Sequence, residues 1–102
     1  MPNPRYISGR NAEYRLKKEL EVQGWTVFRM AGSHSFADLI AVNLNHHKPQ
    51  MRIRLIQVKS TKSGKPHTEI NKFIPVFSTG GENYSQEIWV WSKGQWFHKA
   101  YD

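Results

Sequence analysis

The chain has 102 residues, of which 38% are hydrophobic and 13% aromatic, a composition typical of one small folded domain. It contains no cysteine, which excludes disulfides and thiolate metal sites, and no apolar run is long enough to span a membrane. Fifteen Lys and Arg against eight Asp and Glu give a formal charge of +7, which favours a polyanionic partner, with nucleic acid ahead of membrane. We therefore expect a single domain over residues 1–102, in a cytoplasmic or other intracellular protein that does not associate with membranes.

The first predicted element is a helix over residues 9–23, with Ser8 as its cap and Gly24 as its end. Before it, residues 1–7 contain two prolines and are expected to form an extended arm. Three apolar residues at helical spacing define the buried face of the helix. They are Ala12, Leu16 and Leu20.

Glu13 flanks this buried face rather than pointing away from it. Two interpretations are open. Glu13 is an ordinary exposed acid paired with Lys17 one turn later, or it lies on the edge that faces the sheet and is a third metal ligand.

Three strands follow the helix as a meander. Residues 25–30 are rich in β-formers, and residues 38–42 are apolar on both faces, which is typical of a central strand. A small polar loop, residues 31–35, separates them. Residues 43–50 read as a hairpin loop, so the third strand, residues 51–59, is expected to run antiparallel to the second.

The C-terminal part predicts a short helix and then a β-hairpin. In chain order we expect a loop over residues 60–67, a helix over 68–76 limited by Pro75, an irregular stretch over 78–85, and strands over 86–92 and 95–101 joined by a turn at Lys93-Gly94. We assign the aromatic residues of this hairpin to core and dimer packing rather than to base stacking. They are Trp89, Trp91, Trp96 and Phe97.

The main chemical signal is a carboxylate that opens the second strand and two polar residues near the end of the third. Gln57 and Lys59 are two positions apart, so both point to the same side of their strand. Antiparallel pairing brings that strand end beside Asp38. One interpretation is a buried polar cluster that fixes strand register, and the other is a site for a divalent metal.

A metal site here has the oxygen ligands that Mg²⁺ requires, with Mn²⁺ as a substitute. The candidate donors are the carboxylates of Glu13 and Asp38, the amide oxygen of Gln57 and the backbone carbonyl of Val58. Lys59 would stabilise negative charge developing on a phosphate or, if burial lowers its pKa, orient and deprotonate the attacking water.

Other residues are candidates for contact with DNA phosphates. In the loop before Asp38, His34 is a candidate when protonated, and Ser33 and Ser35 are candidates unless they only form the turn. The remaining candidates are Arg5, Arg10, Arg29, Lys62 and Lys65.

Four segments, in this order and spacing, resemble the archaeal-type Holliday junction resolvases of the PD-(D/E)XK nuclease superfamily. They are GRNAE at residues 9–13, GWTVFRMAGS at 24–33, ADLIA at 37–41 and QVKSTK at 57–62. The resemblance spans about residues 5–62, and beyond residue 66 only the general pattern of a helix followed by strands agrees.

This resemblance implies a restriction-endonuclease-like α/β fold, with a mixed central sheet flanked by helices. It also implies a homodimer and Mg²⁺-dependent cleavage of four-way DNA junctions by paired nicks. It assigns Glu13, Asp38 and Lys59 to the catalytic set, with a catalytic or phosphate-contacting role for one of Ser33 and Ser35.

The sequence departs from the family pattern at two positions. Ala37 replaces the usual proline, and Gln57 replaces the usual glutamate, which removes one negative charge from the site. Glutamine at this position resembles Mrr-like restriction nucleases of the same superfamily. Two alternatives to the resolvase therefore remain: an Mrr-like nuclease acting on duplex DNA, and a DNA-binding module of the same fold with little or no catalytic activity.

Overall fold

The computed structural model describes residues 4–30, 37–43, 52–75 and 84–101, with side chains from residue 9 onward. Its elements are α1 (Pro4–Val22), β1 (Thr26–Arg29), β2 (Leu39–Val42), β3 (Ile53–Thr61), α2 (Pro66–Lys72), β4 (Tyr84–Ser92) and β5 (Gln95–Tyr101). The five strands form one sheet in the order β1-β2-β3-β4-β5. Neighbouring strands are antiparallel except β3 and β4, which are parallel. The expected α/β class and mixed sheet are confirmed.

The first helix begins earlier than its sequence predicts. It starts at Pro4, so the expected extended arm is wrong for residues 4–7, and Ser8 lies inside the helix rather than capping it. Proline is favourable in a first turn, because its missing N–H has no helical partner there and its fixed φ suits the helix. The predicted end is confirmed, since Gly24 has φ +100° and its N–H donates to the Glu21 carbonyl at 3.0 Å.

The other elements agree with prediction in type and order, with shifted bounds. Strand β3 continues to Thr61 because its parallel pairing with β4 extends to Ser92. Helix α2 begins at Pro66 and ends at Lys72, well before Pro75. The predicted loop over residues 31–35, most of the loop over 43–50 and most of the irregular stretch lie outside the described residues.

The two faces of the sheet carry separate hydrophobic clusters. On one face, Ala12, Leu16 and Leu20 of α1 pack with Ile56 and Val58 of β3, as the helical and strand periodicities predict. The opposite face carries a cluster built on α2, which consists of Ile70, Ile88 and Val90 with Phe73, Phe97 and Tyr101 around it. Neither helix within the described ranges is both long and apolar enough to cross a membrane.

The last hairpin packs its tryptophans against the α1 face of the sheet. The Trp96 ring meets those of Trp89 and Trp91 edge-on, at centroid distances of 5.9 Å and 5.0 Å. The guanidinium of Arg15 on α1 lies 4.3 Å from the centre of the Trp91 ring. The predicted core packing of these side chains is therefore confirmed, whereas their role in a dimer stays a prediction.

A buried ion pair joins β3 to β4. Arg54 donates to both carboxylate oxygens of Glu87, at 2.7 Å and 2.8 Å, and Ser85 Oγ and Trp89 Nε1 each donate at 2.9 Å. Burial by itself raises the pKa of Glu87, but the hydrogen bonds from Arg54, Trp89 and Ser85 bring this pKa below its ordinary value. Glu87 is thus held as a fully satisfied carboxylate that ties the two parallel strands together.

We expect Glu87→Gln to lower the free energy of unfolding by about 3 kcal/mol at pH 7, because it leaves the Arg54 charge buried without its counter-ion. Urea denaturation measures this change. The pKa of Glu87 is lowered in the folded state, so its contribution is present above the ordinary glutamate pKa and is lost as pH falls. The difference between wild type and variant should therefore narrow below pH about 4.

A matched control is Glu69→Gln. The Glu69 carboxylate lies 3.6 Å from Lys72 in a much more exposed pair, so this change should stay within about 0.5 kcal/mol of wild type. Equal effects of the two variants would contradict a structural role for the buried pair.

Candidate active site

Asp38 lies where the pairing of β2 with β3 ends. The last paired residues are Leu39 and Ile56, and the Asp38 N–H still donates to the Ile56 carbonyl at 2.9 Å. Two residues further along β3, the Val58 N–H donates to Asp38 Oδ2 at 2.8 Å. The predicted register, with Asp38 beside the end of β3, is confirmed.

Glu13 reaches this region from α1. Its side chain is only 15% exposed, and its Oε1 lies 3.6 Å from Nε of Arg29, at the end of β1. The alternative in which Glu13 pairs with Lys17 is wrong, because Lys17 binds Glu21 at 3.0 Å on the solvent side of the helix. Glu13 therefore belongs to the edge of α1 that faces the sheet.

The two carboxylates are close enough to influence each other. Burial raises the pKa of Glu13, the charge of Asp38 raises it further, and Arg29 opposes both effects. Burial also raises the pKa of Asp38, against the opposing effects of the Val58 N–H, Lys59 and Arg29. The ionised forms of both acids are therefore destabilised by burial, and an additional positive charge nearby would stabilise them.

Arg29 is one of the positive charges near the two acids, and it lowers the pKa of both. Its Nε makes no hydrogen bond within the described residues. Within the described residues, Nε of Arg29 is buried and has no hydrogen-bond partner, because 3.6 Å from Glu13 is beyond hydrogen-bonding distance. Its guanidinium carbon lies 5.0 Å from the centre of the Tyr14 ring. Arg29 therefore keeps one donor that no acceptor within the described residues uses.

Gln57 and Lys59, the other two predicted site residues, lie on the same side of β3, as their spacing predicts. Gln57 is half-buried, and its register partner in β4 is Ile88, on the face opposite to Ile56 and Val58. Lys59 is exposed, close enough to lower the pKa of Asp38. The role of Lys59 as a general base required burial, so its exposure favours the charge-stabilising role.

The donor set fits a hard divalent cation. Glu13 and Asp38 offer two partly desolvated carboxylates that repel each other, and a shared cation would relieve that repulsion. The carbonyl of Val58 points to the same side of β3 as its N–H, hence toward Asp38. Within the described residues, no three His, Cys, Asp or Glu side chains cluster, so the remaining ligands would be neutral oxygens.

The structure covers only some of the predicted phosphate contacts. Lys62 and Lys65 are exposed in the loop after β3, and Arg10 is half-buried on α1. The loop residues Ser33, His34 and Ser35 lie outside the described residues, as does the side chain of Arg5.

The pairing of Glu13 with Arg29 was not anticipated from the sequence, which marked Arg29 only as a DNA contact. A usable signal exists, because Arg29 shares its side of β1 with the buried Val27. A basic residue in register with a core position predicts a buried acidic partner.

No protein-family model matches the chain.

We expect Asp38→Asn to raise the melting temperature by a few degrees at pH 7 in the absence of divalent metal. An amide oxygen can still accept the Val58 N–H, and the variant removes a charge that burial disfavours. Because the folded-state pKa of Asp38 is raised, its stabilising contribution is complete below the ordinary aspartate pKa and is lost as pH rises. The advantage of the variant should therefore appear only above pH about 4.

Calorimetry at several pH values, with and without Mg²⁺, measures both effects. Mg²⁺ should raise the melting temperature of the wild type and have little effect on the variant. A variant that melts lower than wild type at pH 7 would make Asp38 a structural residue of the β2–β3 junction.

Proposed function

We propose that this protein is a structure-selective DNA endonuclease that nicks four-way junctions by metal-dependent hydrolysis of a phosphodiester bond. The observation that carries the proposal is the group at one end of the sheet: Glu13 and Asp38, both with raised pKa, beside Arg29 and Lys59. Partly buried carboxylates with raised pKa and cationic neighbours are typical of sites that handle phosphate and metal. The proposal includes a restriction-endonuclease-like fold for the mixed sheet and its two helices.

Each residue of the group has a role in this chemistry. Glu13 and Asp38 would hold Mg²⁺, together with the Gln57 amide oxygen and the Val58 carbonyl. The chemistry that the cation supplies when bound is polarisation of the phosphate and acidification of bound water. The Arg29 guanidinium and the Lys59 ammonium would then face negative charge on the phosphate as water attacks and the P–O bond breaks.

The surface charge supports DNA as the substrate. The chain carries a formal charge of +7, and exposed lysines flank the site at positions 59, 62 and 65. Paired nicks on a junction require two active sites, so the proposal includes a homodimer acting on intracellular DNA.

A binding module is the second candidate, and a specific observation favours it. Gln57 is neutral, and Arg29 already opposes the charge of Glu13, so the group is electrically balanced without metal. An Mrr-like nuclease acting on ordinary duplex is the third reading, and it shares the same site.

One assay separates the three readings. We expect the wild type to cut a four-way junction symmetrically in Mg²⁺ or Mn²⁺, and to leave a matched linear duplex largely intact. Asp38→Asn should abolish cleavage while junction binding survives, because it removes a metal-binding charge and leaves the basic surface unchanged. Glu21→Gln, the same chemical change in an exposed helix pair, should cut like wild type.

The other outcomes assign the alternatives. Equal cutting of duplex and junction would support the Mrr-like reading, and binding without cutting in either metal would leave the binding module. Cleavage retained by Asp38→Asn would rule out the metal site proposed here.

We expect Gln57→Glu to increase Mg²⁺ affinity roughly tenfold, which equals about 1.4 kcal/mol. A full charge in direct contact is worth up to about 4 kcal/mol near a protein surface, and repulsion from the other carboxylates takes up part of that gain. Titration of Mg²⁺ by calorimetry measures the change. Gln23→Glu adds the same charge at the exposed end of α1 and should leave Mg²⁺ affinity unchanged, and equal affinities of all three proteins would place Gln57 outside the metal site.

A further inference from the structure

The turn between β4 and β5 places a lysine directly against a glycine of another loop. A β-carbon built on Gly64 would lie 2.9 Å from both Cε and Nζ of Lys93. That distance is too short for an ordinary contact, so a β-carbon at residue 64 would displace the end of the Lys93 side chain from its present position. The φ of Gly64 is +73°, which also favours glycine.

Lys93 also stands at a backbone position that lysine rarely occupies. Its φ is +48°, followed by +80° at Gly94, the pattern of a two-residue hairpin turn in which asparagine, aspartate or glycine is preferred first. A lysine in this position accepts a less favourable conformation than asparagine or glycine would, and residues in such conformations cluster at binding sites.

Two more exposed lysines lie in the loop that Lys93 contacts. Ser63 holds this loop, since its N–H donates to Thr61 Oγ1 and its Oγ accepts from the Lys65 N–H, both at 3.2 Å. Lys62 and Lys65 flank the glycine in sequence. The cationic rim therefore consists of Lys62, Lys65 and Lys93, and neither residues 59–68 nor residues 88–101 contain Asp or Glu.

The rim lies at the same end of the sheet as the candidate active site but at some distance from it. Lys59 pairs in register with Val90, and Lys93 comes three residues later, which is roughly 10 Å further along the strand direction. The backbone of Lys93 therefore lies further along the sheet than the position of Lys59, beside the loop that contains Gly64.

We propose that Lys93, held over Gly64, completes a second phosphate-binding point with Lys62 and Lys65, which grips the DNA backbone away from the cut. This inference rests on the proposed function, because it takes DNA as the partner. Three lysines from two loops would face one stretch of the backbone. The space over the glycine admits the Lys93 side chain, which brings its ammonium group to the loop that carries Lys62 and Lys65.

The test measures the affinity for a four-way junction at several salt concentrations. All proteins carry Asp38→Asn, so that the junction is not cut during the measurement. Lys93→Asn suits the turn, because asparagine tolerates its positive φ. It should weaken binding roughly five- to tenfold near 0.1 M salt and reduce the salt slope by about 0.9, the value for one lost phosphate contact. Lys72→Asn removes an equal charge from α2, where Lys72 pairs with Glu69, and should change neither quantity.

A double-mutant cycle tests the glycine. Gly64→Asn tolerates the positive φ but places a β-carbon where the Lys93 side chain lies, so it should weaken binding alone and add nothing in the Lys93→Asn background. Two results would overturn this inference and leave the proposed function standing. One is that Lys93→Asn binds the junction as tightly as the Lys72→Asn control. The other is that the effects of Gly64→Asn and Lys93→Asn on binding are independent. No salt-dependent binding to any DNA would overturn both.

Discussion

The hydrogen bond from the Val58 N–H to Asp38 Oδ2 is the interaction on which the rest of the site depends. Up to Leu39 and Ile56, main-chain pairing joins β2 to β3. At Asp38 a carboxylate takes over from a carbonyl as the acceptor for β3, so the strands stay together while a negative charge is fixed at the end of the sheet. Burial makes this charge costly, and the Val58 N–H, Lys59 and Arg29 together offset only part of that cost, so the pKa of Asp38 stays raised.

Two acid–arginine pairs in this protein differ in their hydrogen bonding and in the pKa of the acid, which indicates a structural role for one and a binding role for the other. Glu87 receives two hydrogen bonds from Arg54 and others from its neighbours, and its pKa is lowered. Glu13 has Arg29 at 3.6 Å, and its pKa is raised. The first pair is complete, so it binds strands together and has little capacity for anything else. In the second pair, Arg29 Nε has no hydrogen-bond partner within the described residues and the pKa of Glu13 stays raised. This favours a role in binding something that the folded chain does not itself supply.

Sequence periodicity correctly predicted the parts of this structure that depend on residues close together in the sequence. Alternation along β3 and the hairpin connection were enough to place Asp38 beside Val58, because the period of a strand is strict. The same reasoning failed at Pro4, where two prolines suggested an extended arm and the first turn of a helix accepted one of them. It also missed the pairing of Arg54 with Glu87 and the contact of Lys93 with Gly64. Both join segments across the parallel connection through α2, and no local pattern specifies that register.

The charge balance of the site has a consequence for the order of binding under the proposed function. Glu13 and Asp38 carry two negative charges, Arg29 and Lys59 carry two positive ones, and Gln57 adds none. Such a group attracts a free divalent cation less strongly than two carboxylates without cationic neighbours would, because Arg29 and Lys59 offset part of the negative charge. A DNA phosphate would change this, since it brings negative charge and gives Arg29 and Lys59 an acceptor, which frees the carboxylates for the metal. Metal and junction would therefore bind cooperatively, and the neutral Gln57 would make DNA part of the metal site.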